Sequence, residues 1–455
     1  MTLNKENCLT RAVEAAPLAV FRIFFGLMML LGLLRFVAYG WVDKLYIQPK
    51  FFFSYYGFEW VKPLGSFTYF IFLLCAISSI MVVLGYRYRL ASILFFLSFT
   101  YIELMDKTTY LNHYYFTSLL AFLMIFLPAN AYYSIDALRN SENAFQKIPV
   151  WTVNSIKLLL GIVYVYAGLS KLNSDWLIEA MPLKIWLPSK FDIPLLGNMM
   201  HLDWTPYFFS WVGALYDLTI PFFLLNKRTR PYAFAAVVIF HLLTRVLFPI
   251  GMFPYIMIVS TLIFFDASFH HKLLKRLDKW FKVGIQRFDN SRVLVDKKTR
   301  RFSFKTAILA LFFLIQLCLP FRYLAYPDEL FWTEEGYRFS WRVMLIEKSG
   351  YAQFKVVDTE SGKWFYVDNS DFLTTFQEKQ MAFQPDFILE YAHFLKQNFE
   401  KDGHKKVAVY VDSYVSLNGR LSTPYIDSKI DLTQEKESFQ HKNWILPFND
   451  EITGL

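Results

Sequence analysis

The chain has only three cysteines in 455 residues, Cys8, Cys75 and Cys318, and none of them forms a CxxC pair. A disulfide framework and a zinc site are therefore both unexpected. The adjacent His270 and His271 lie in a strongly basic stretch and read as surface residues, and no metal-ligand spacing occurs elsewhere. No internal repeat is visible, which argues against the paired broken helices of many transporters. The first apolar block lacks a small-residue cleavage site and is long enough to stay as a span, so no cleavable signal peptide is expected.

What the chain does have is apolar surface. Hydrophobic residues make up 55% and aromatic residues 20%, against roughly 45–50% apolar for a soluble domain. The excess falls in blocks of about 15–24 residues, the length needed to cross a hydrocarbon core of roughly 30 Å. The blocks run over residues 18–39, 66–85, 91–105, 114–128, 151–169, 207–225, 231–248, 252–265 and 304–320. The third, fourth and eighth are short, which fits tilted or re-entrant segments. The 49 Phe and 28 Tyr suit lipid-facing surfaces and interfacial belts. The reading is a membrane α-helical bundle of about nine transmembrane helices over residues 1–321, followed by a β-rich extramembrane domain over 322–455.

The formal charge of +9 is concentrated between the apolar blocks. Arg87 and Arg89, then Arg139 and Lys147, then Lys227, Arg228 and Arg230 occupy three even-to-odd connections. The stretch from Lys272 to Arg301, which includes Lys297, Lys298 and Arg300, occupies the fourth. Retention of Lys and Arg on the cytoplasmic side explains this pattern, with the N-terminus inside and the C-terminal domain outside. The partner of this charge is anionic membrane lipid, not nucleic acid. Leu273, Leu277, Trp280 and Phe281 recur at helical spacing among these basic residues, as in a helix lying on the membrane surface.

Beyond the last block the pattern changes to period two. Tyr337, Phe339, Trp341 and Val343 alternate with polar residues, as do Phe354 with Val356, Trp364 with Tyr366, and Val407, Val409 and Val411. Each reads as a strand. Turn signals stand at 359–362 and at Asn418-Gly419, and 385–401 reads as one amphipathic helix.

Ionisable residues in or beside a span are costly and are functional candidates. Three clusters stand out, all at the outer ends of the blocks. Asp106-Lys107-Thr108 leads to Asn112-His113, where His113 is either a helix-capping interfacial residue or a site residue. Lys171 follows the small-residue run Ala167-Gly168, and is either snorkelling or shielded from water, in which case its pKa is lowered and it can act as a neutral base. His241 and Arg245 are four residues apart on one helical face, which suits a helix–helix contact as well as a site. Polar groups gathered on one side suggest a pocket open to an amphipathic substrate with a lipid tail.

These stretches resemble the vitamin K-dependent γ-glutamyl carboxylase family, including its bacterial HTTM-domain members. Asp106-Lys107-Thr108 with Asn112-His113 resembles the family's D-K-T … N-H segment. Tyr166-Ala167-Gly168 with Lys171-Leu172-Asn173-Ser174-Asp175-Trp176 resembles YAG…KLxxDW. Phe240-His241 with Leu247-Phe248-Pro249-Ile250-Gly251-Met252-Phe253 resembles FH…LFxIGxF, and Trp332 to Arg342 resembles WTEEGxRFSWR. The likeness runs in order from about residue 10 to about 450.

The resemblance implies an enzyme. Vitamin K hydroquinone, as reduced menaquinone or phylloquinone, is deprotonated and reacts with O₂ to give a strong base. That base removes a γ-proton from a glutamate side chain, CO₂ adds, and the vitamin leaves as its epoxide. Such chemistry needs a cofactor-derived base kept from water. The resemblance maps the hydroquinone-activating base onto Lys171 and the stabilising histidine onto His113. Asn112 and His241 become cofactor-binding candidates. Arg338 and Arg342 are candidates for binding the carboxylate of a glutamate-containing peptide or protein, although their alternation equally suits an exposed strand face. The implied location is a bacterial inner membrane with the C-terminal domain in the periplasm, or the ER with that domain in the lumen. The alternatives are a quinone-epoxidising enzyme without carboxylation and a lipid- or quinone-binding transporter or scaffold.

Overall fold

The computed structural model describes residues 11–194, 196–294, 304–404 and 406–454. Cys8, Lys297, Lys298, Arg300 and Arg301 lie outside the described residues.

Every apolar block is a helix. They are α1 (Ala16–Ala38), α2 (Thr68–Leu84), α3 (Tyr88–Leu104), α4 (Asn112–Phe126), α5 (Val150–Leu169), α6 (Trp204–Leu225), α7 (Arg230–Leu247), α8 (Phe253–Thr261) and, beyond the basic helix α9 (Ala267–Phe281), α10 (Phe304–Cys318). Among the described residues six of these segments are long and apolar enough to cross a membrane, and a seventh arises if α8, its short extension and α9 count as one segment bent by 119°. The nine expected crossings are thus nine helices in the expected places; α2 and α10 reach crossing length together with adjoining 3-10 turns, as Gly65–Leu84 and Phe304–Ala325, and three others do not reach it. α3 has 17 residues, α4 has 15 and α8 has 9. The charged Asp106-Lys107 pair ends α3, and Asp266 marks the bend before α9.

Buried polar groups tie the bundle together. Arg22, fully buried in α1, donates to the carbonyls of Val82 (2.8 Å), Val83 (2.6 Å) and Tyr133 (2.6 Å). It thereby satisfies the free carbonyls at the end of α2. Gly85 makes this possible: its φ is +61° and a Cβ there would lie 2.5 Å from the Arg22 guanidinium. The basic connections gather at this end, where Asp136 accepts from the backbone of Arg87 and Tyr88, Arg230 pairs with Asp266, and Arg292 donates to Ser141 and Glu142. Here too a short pair, β1 (Ala12–Glu14) and β2 (Lys147–Pro149), joins two segments. His270, read as a surface residue, is buried in α9, and its Nδ1 meets the Asp266 carbonyl at 3.0 Å. Facing α1, it belongs to the apolar side of a helix whose Trp280 and Phe281 are exposed.

The C-terminal domain caps the opposite end. Its antiparallel sheet has the order β4 (Trp364–Tyr366), β3 (Lys348–Asp358), β5 (Val407–Leu417), β6 (Thr423–Pro424). β3 and β5 pair along their whole length, from Lys348 opposite Leu417 to Asp358 opposite Val407. Helices α11 (Thr375–Met381) and α12 (Pro385–Lys401) cover the sheet, α12 through Phe387, Ile388, Tyr391 and Leu395. α12, the central strands and the turn at Asn418-Gly419 lie where the sequence places them. The segment 337–343 does not form the expected strand. It runs as successive turns, with φ of +62° at Phe339 and +61° at Trp341. Its aromatic residues are drawn onto the bundle instead: Phe339 meets Tyr110 and Tyr115, and Trp341 meets Tyr115 and Phe116.

Candidate active site

The D-K-T turn between α3 and α4 forms the first part of the site. Asp106 caps a single helical turn over Lys107–Thr109, accepting from the Thr108 amide (2.9 Å) and hydroxyl (2.8 Å), and its other oxygen accepts from Gln377 of α11 (3.1 Å). Burial pushes its carboxyl up to about 6, against the pull of those hydrogen bonds. Lys107 is buried and pairs with Asp386 (2.8 Å) and Glu390 (3.1 Å) of α12. Arg338 donates to both oxygens of Asp386 (2.8 and 3.2 Å) and to Gln384. Burial opposes ionisation of Asp386, yet Arg338 and Lys107 hold it well below the usual carboxylate range. This turn therefore staples the bundle to the C-terminal domain.

Helix α4 begins just after it, and Asn112 and His113 point its first turn at a cavity of about 460 Å³. The volume is that of a typical small-molecule site. The wall is mainly apolar and aromatic, contributed by α1, α3, α4, the loop before α8 and the segment 337–346. Asn112 donates to the backbone oxygen of Arg342 (3.1 Å) and accepts from Tyr110 (3.1 Å). The His113 ring touches Tyr114 and Phe253, with centroids 4.6 and 5.9 Å away. Among the described residues it makes no hydrogen bond. Arg342 is buried, lies over the Tyr323 ring, and leaves Nε and Nη1 without an acceptor. Glu103 of α3 also lines the cavity, and its Oε1 has no donor.

Asn112, His113 and Arg342 thus share one cavity, and Lys171, His241 and Arg338 are not among its lining residues. Lys171, just beyond α5, is buried and donates to Asp217 of α6 (2.9 Å) and to the Ala167 carbonyl (2.9 Å). Gly168 creates this pair. A Cβ at that position would lie 2.8 Å from the Leu218 backbone nitrogen, so only glycine lets α6 come close enough to bring Asp217 alongside. His241 sits between the two neighbourhoods. Its Nε2 meets the Tyr164 hydroxyl at 3.1 Å, its Nδ1 is buried and unpartnered, and its ring stands 5.7 Å from that of Phe253, which also touches His113. Arg245, one turn on, is exposed and forms no pair with it.

Glu103 and Asp217 escaped the reading of the sequence. The signal was present: each is a carboxylate inside an apolar block, and the rule that singled out Lys171 applies equally to them.

A family model described as HTTM domain matches residues 10–269. A second, described as Vitamin K-dependent gamma-carboxylase, lumenal domain, matches residues 301–451. No solved structure matches the chain.

Proposed function

The chain belongs to the HTTM family, with the lumenal domain of the vitamin K-dependent γ-carboxylases following it, and from that membership we propose that it is a membrane carboxylase. In this reading it converts glutamate side chains of a peptide or protein to γ-carboxyglutamate at the expense of vitamin K hydroquinone, O₂ and CO₂, with the epoxide as second product. The observation that carries the reading is the cavity at the junction of the two matched domains, enclosed by aromatic residues and lined by His113, whose ring makes no hydrogen bond, and by Arg342, whose guanidinium is incompletely paired. The fit to a hydroxylated aromatic ring is good, because His113 can donate to or accept from a ring oxygen and flat apolar walls surround it. Reduced vitamin K bound there would supply, with O₂, a base stronger than any side chain.

The chain's own residues have the remaining tasks. His113 holds a ring oxygen, and the second amide proton of Asn112 is available beside it. Arg342 attracts the substrate carboxylate. Arg338, already committed to Asp386, holds the wall of the site. The walls exclude water from the reacting groups. Lys171 Nζ, as the neutral amine, accepts the proton lost by the hydroquinone, and Asp217 Oδ2 beside it balances the charge of the ammonium so formed. Because Nζ does not line the cavity, a relay between them is part of this reading. The basic connections at the far end of the bundle favour the C-terminal domain facing away from the cytoplasm.

The test uses membranes containing the protein, vitamin K hydroquinone, O₂, labelled CO₂ and a Glu-rich peptide. Label in the peptide together with epoxide is the expected result. Epoxide alone reduces the activity to quinone oxygenation, and neither product from folded protein removes the enzymatic reading. Lys171→Ala should lower epoxide formation at least a hundredfold, the scale of losing a positioned base, and a small exogenous amine should restore part of it. Full epoxidation by this variant removes Lys171 from the mechanism.

A further inference from the structure

Two guanidinium groups, Arg35 and Arg342, and one carboxyl, Glu103, line the cavity, and among the described residues the carboxyl forms an ion pair with neither. The scheme above has no task for Arg35. It stands in the last turn of α1 and is partly exposed. Its guanidinium lies over the rings of Trp41 and Tyr39, 5.1 and 5.7 Å from their centroids, and those two rings stack on each other. The turn at Gly251 (φ +61°) passes beside it, where a Cβ would stand 3.7 Å from Nη1. Aromatic faces meet a cation without using its N–H donors. Among the described residues no oxygen accepts from the Arg35 donors. Arg342 is different. Its Nε and Nη1 are sealed in the wall, so it acts on the cavity through its charge. An arginine at the end of a spanning helix can snorkel to a lipid phosphate, but here the ring pair and the Gly251 turn hold it against the cavity that His113 lines.

We propose that Arg35 is the carboxylate-binding residue of this cavity, its guanidinium pairing with the side-chain carboxylate of the glutamate that is modified. The inference rests on the reading of the site given above and adds the residue that selects glutamate over glutamine. A planar fork of N–H donors fits a carboxylate at two points, and in a mainly apolar cavity water does little to weaken the pair. Glutamine carries no charge, and its amide N–H groups would face the guanidinium's own donors. The same contact serves the reaction. When the γ-proton leaves, a second negative charge develops beside the carboxylate, and a cation already in place stabilises it without reorganisation.

Binding, read without cofactor or turnover, is the test. Full-length protein in a zwitterionic detergent is titrated calorimetrically at about pH 7 with a short Glu-containing peptide and with the same peptide carrying Gln. The wild type should bind the Glu peptide about tenfold or more tightly, the scale of hydrogen bonds between charged groups. In Arg35→Gln that ratio should fall to within about threefold of unity, with the affinity for the Gln peptide nearly unchanged. A variant that keeps the ratio overturns the inference, whether it binds both peptides as well as the wild type or both equally worse, because Arg35 then serves a lipid headgroup or the packing of Trp41. Should Arg35→Gln fail to fold, Arg35→Lys, which has a charge but no fork, must lower the ratio at least about threefold; an unchanged ratio overturns the inference. Equal binding of the two peptides by the wild type, or binding of neither, overturns it as well. The carboxylation assay separates this inference from the reading beneath it. Label incorporated by a wild type without the ratio keeps the reading and removes Arg35, and a ratio carried by Arg35 without label keeps the carboxylate site and removes the reading.

Discussion

One short segment, 106–113, serves two neighbourhoods of opposite character. Its first half enters the staple between the bundle and α12, where every charge is answered. Lys107 has Asp386 and Glu390, Arg338 has Asp386 and Gln384, and Asp106 has Thr108 and Gln377. Its second half opens on the cavity, where charges and polar groups are left over. The His113 ring has no protein partner, Glu103 Oε1 has no donor, and Arg342 Nε and Nη1 have no acceptor. A fully satisfied buried network fixes one structure. A set of unsatisfied groups around a void is the mark of a site awaiting a ligand. Arg338 and Arg342, four residues apart, divide between these two cases in the same way.

The sharpest way to break the comparison is to remove the shared carboxylate of the staple. Asp386→Ala leaves the buried Arg338 without an ionic partner and Lys107 with Glu390 alone. It should cost about 3–5 kcal/mol, seen as a marked fall in the melting temperature of the detergent-solubilised protein. His113→Ala should do the reverse. Epoxidation should fall at least about a hundredfold, close to 3 kcal/mol in barrier terms, with a smaller fall in the melting temperature than Asp386→Ala gives, because the ring makes no hydrogen bond and contributes packing alone. If His113→Ala destabilises as much as Asp386→Ala while both keep their activity, the distinction between staple and site is wrong.

Much of this architecture was legible. The positions of the nine apolar helices, the parity of the basic connections, the β3 and β5 strands and the whole of α12 follow from periodicity and charge. The number of crossings did not follow from a count of blocks: the third, fourth and eighth, already short in the sequence, are the helices that fall below crossing length, as α3 does where it stops at the charged turn at Asp106. The 337–343 segment failed for a different reason. Alternation marks residues that face two sides, and here both sides are filled by the bundle and the domain, with no neighbouring strand to supply a ladder. In the site, Asn112, His113 and Arg342 were nameable from motifs. Their convergence was not, since it depends on how the C-terminal domain seats on the bundle. Asp217 became a partner of Lys171 only through the close approach at Gly168.

Asp106 supplies the smallest and most specific test of the staple. Burial raises its carboxyl to about 6 in the folded protein, while the unfolded chain titrates near the ordinary value of about 3.9. Between those two values the folded state holds the proton and the unfolded state does not. Stability from this group is therefore fully present below about pH 4 and lost as pH rises through about 6, since it falls wherever the folded state binds more protons. Asp386, held low by its two cations, contributes the opposite slope and only at pH values below the ordinary carboxylate pKa. These two windows are separate, and because burial also raises the carboxyl of Glu390, Asp106 is read from melting curves of wild type and variant compared at intervals from pH 4 to pH 7. Asp106→Asn cannot titrate, and the difference between it and the wild type should change by about 2 kcal/mol across that window. A difference that stays flat would mean that water reaches Asp106 and that the junction between bundle and domain is less tightly sealed than its hydrogen bonds indicate.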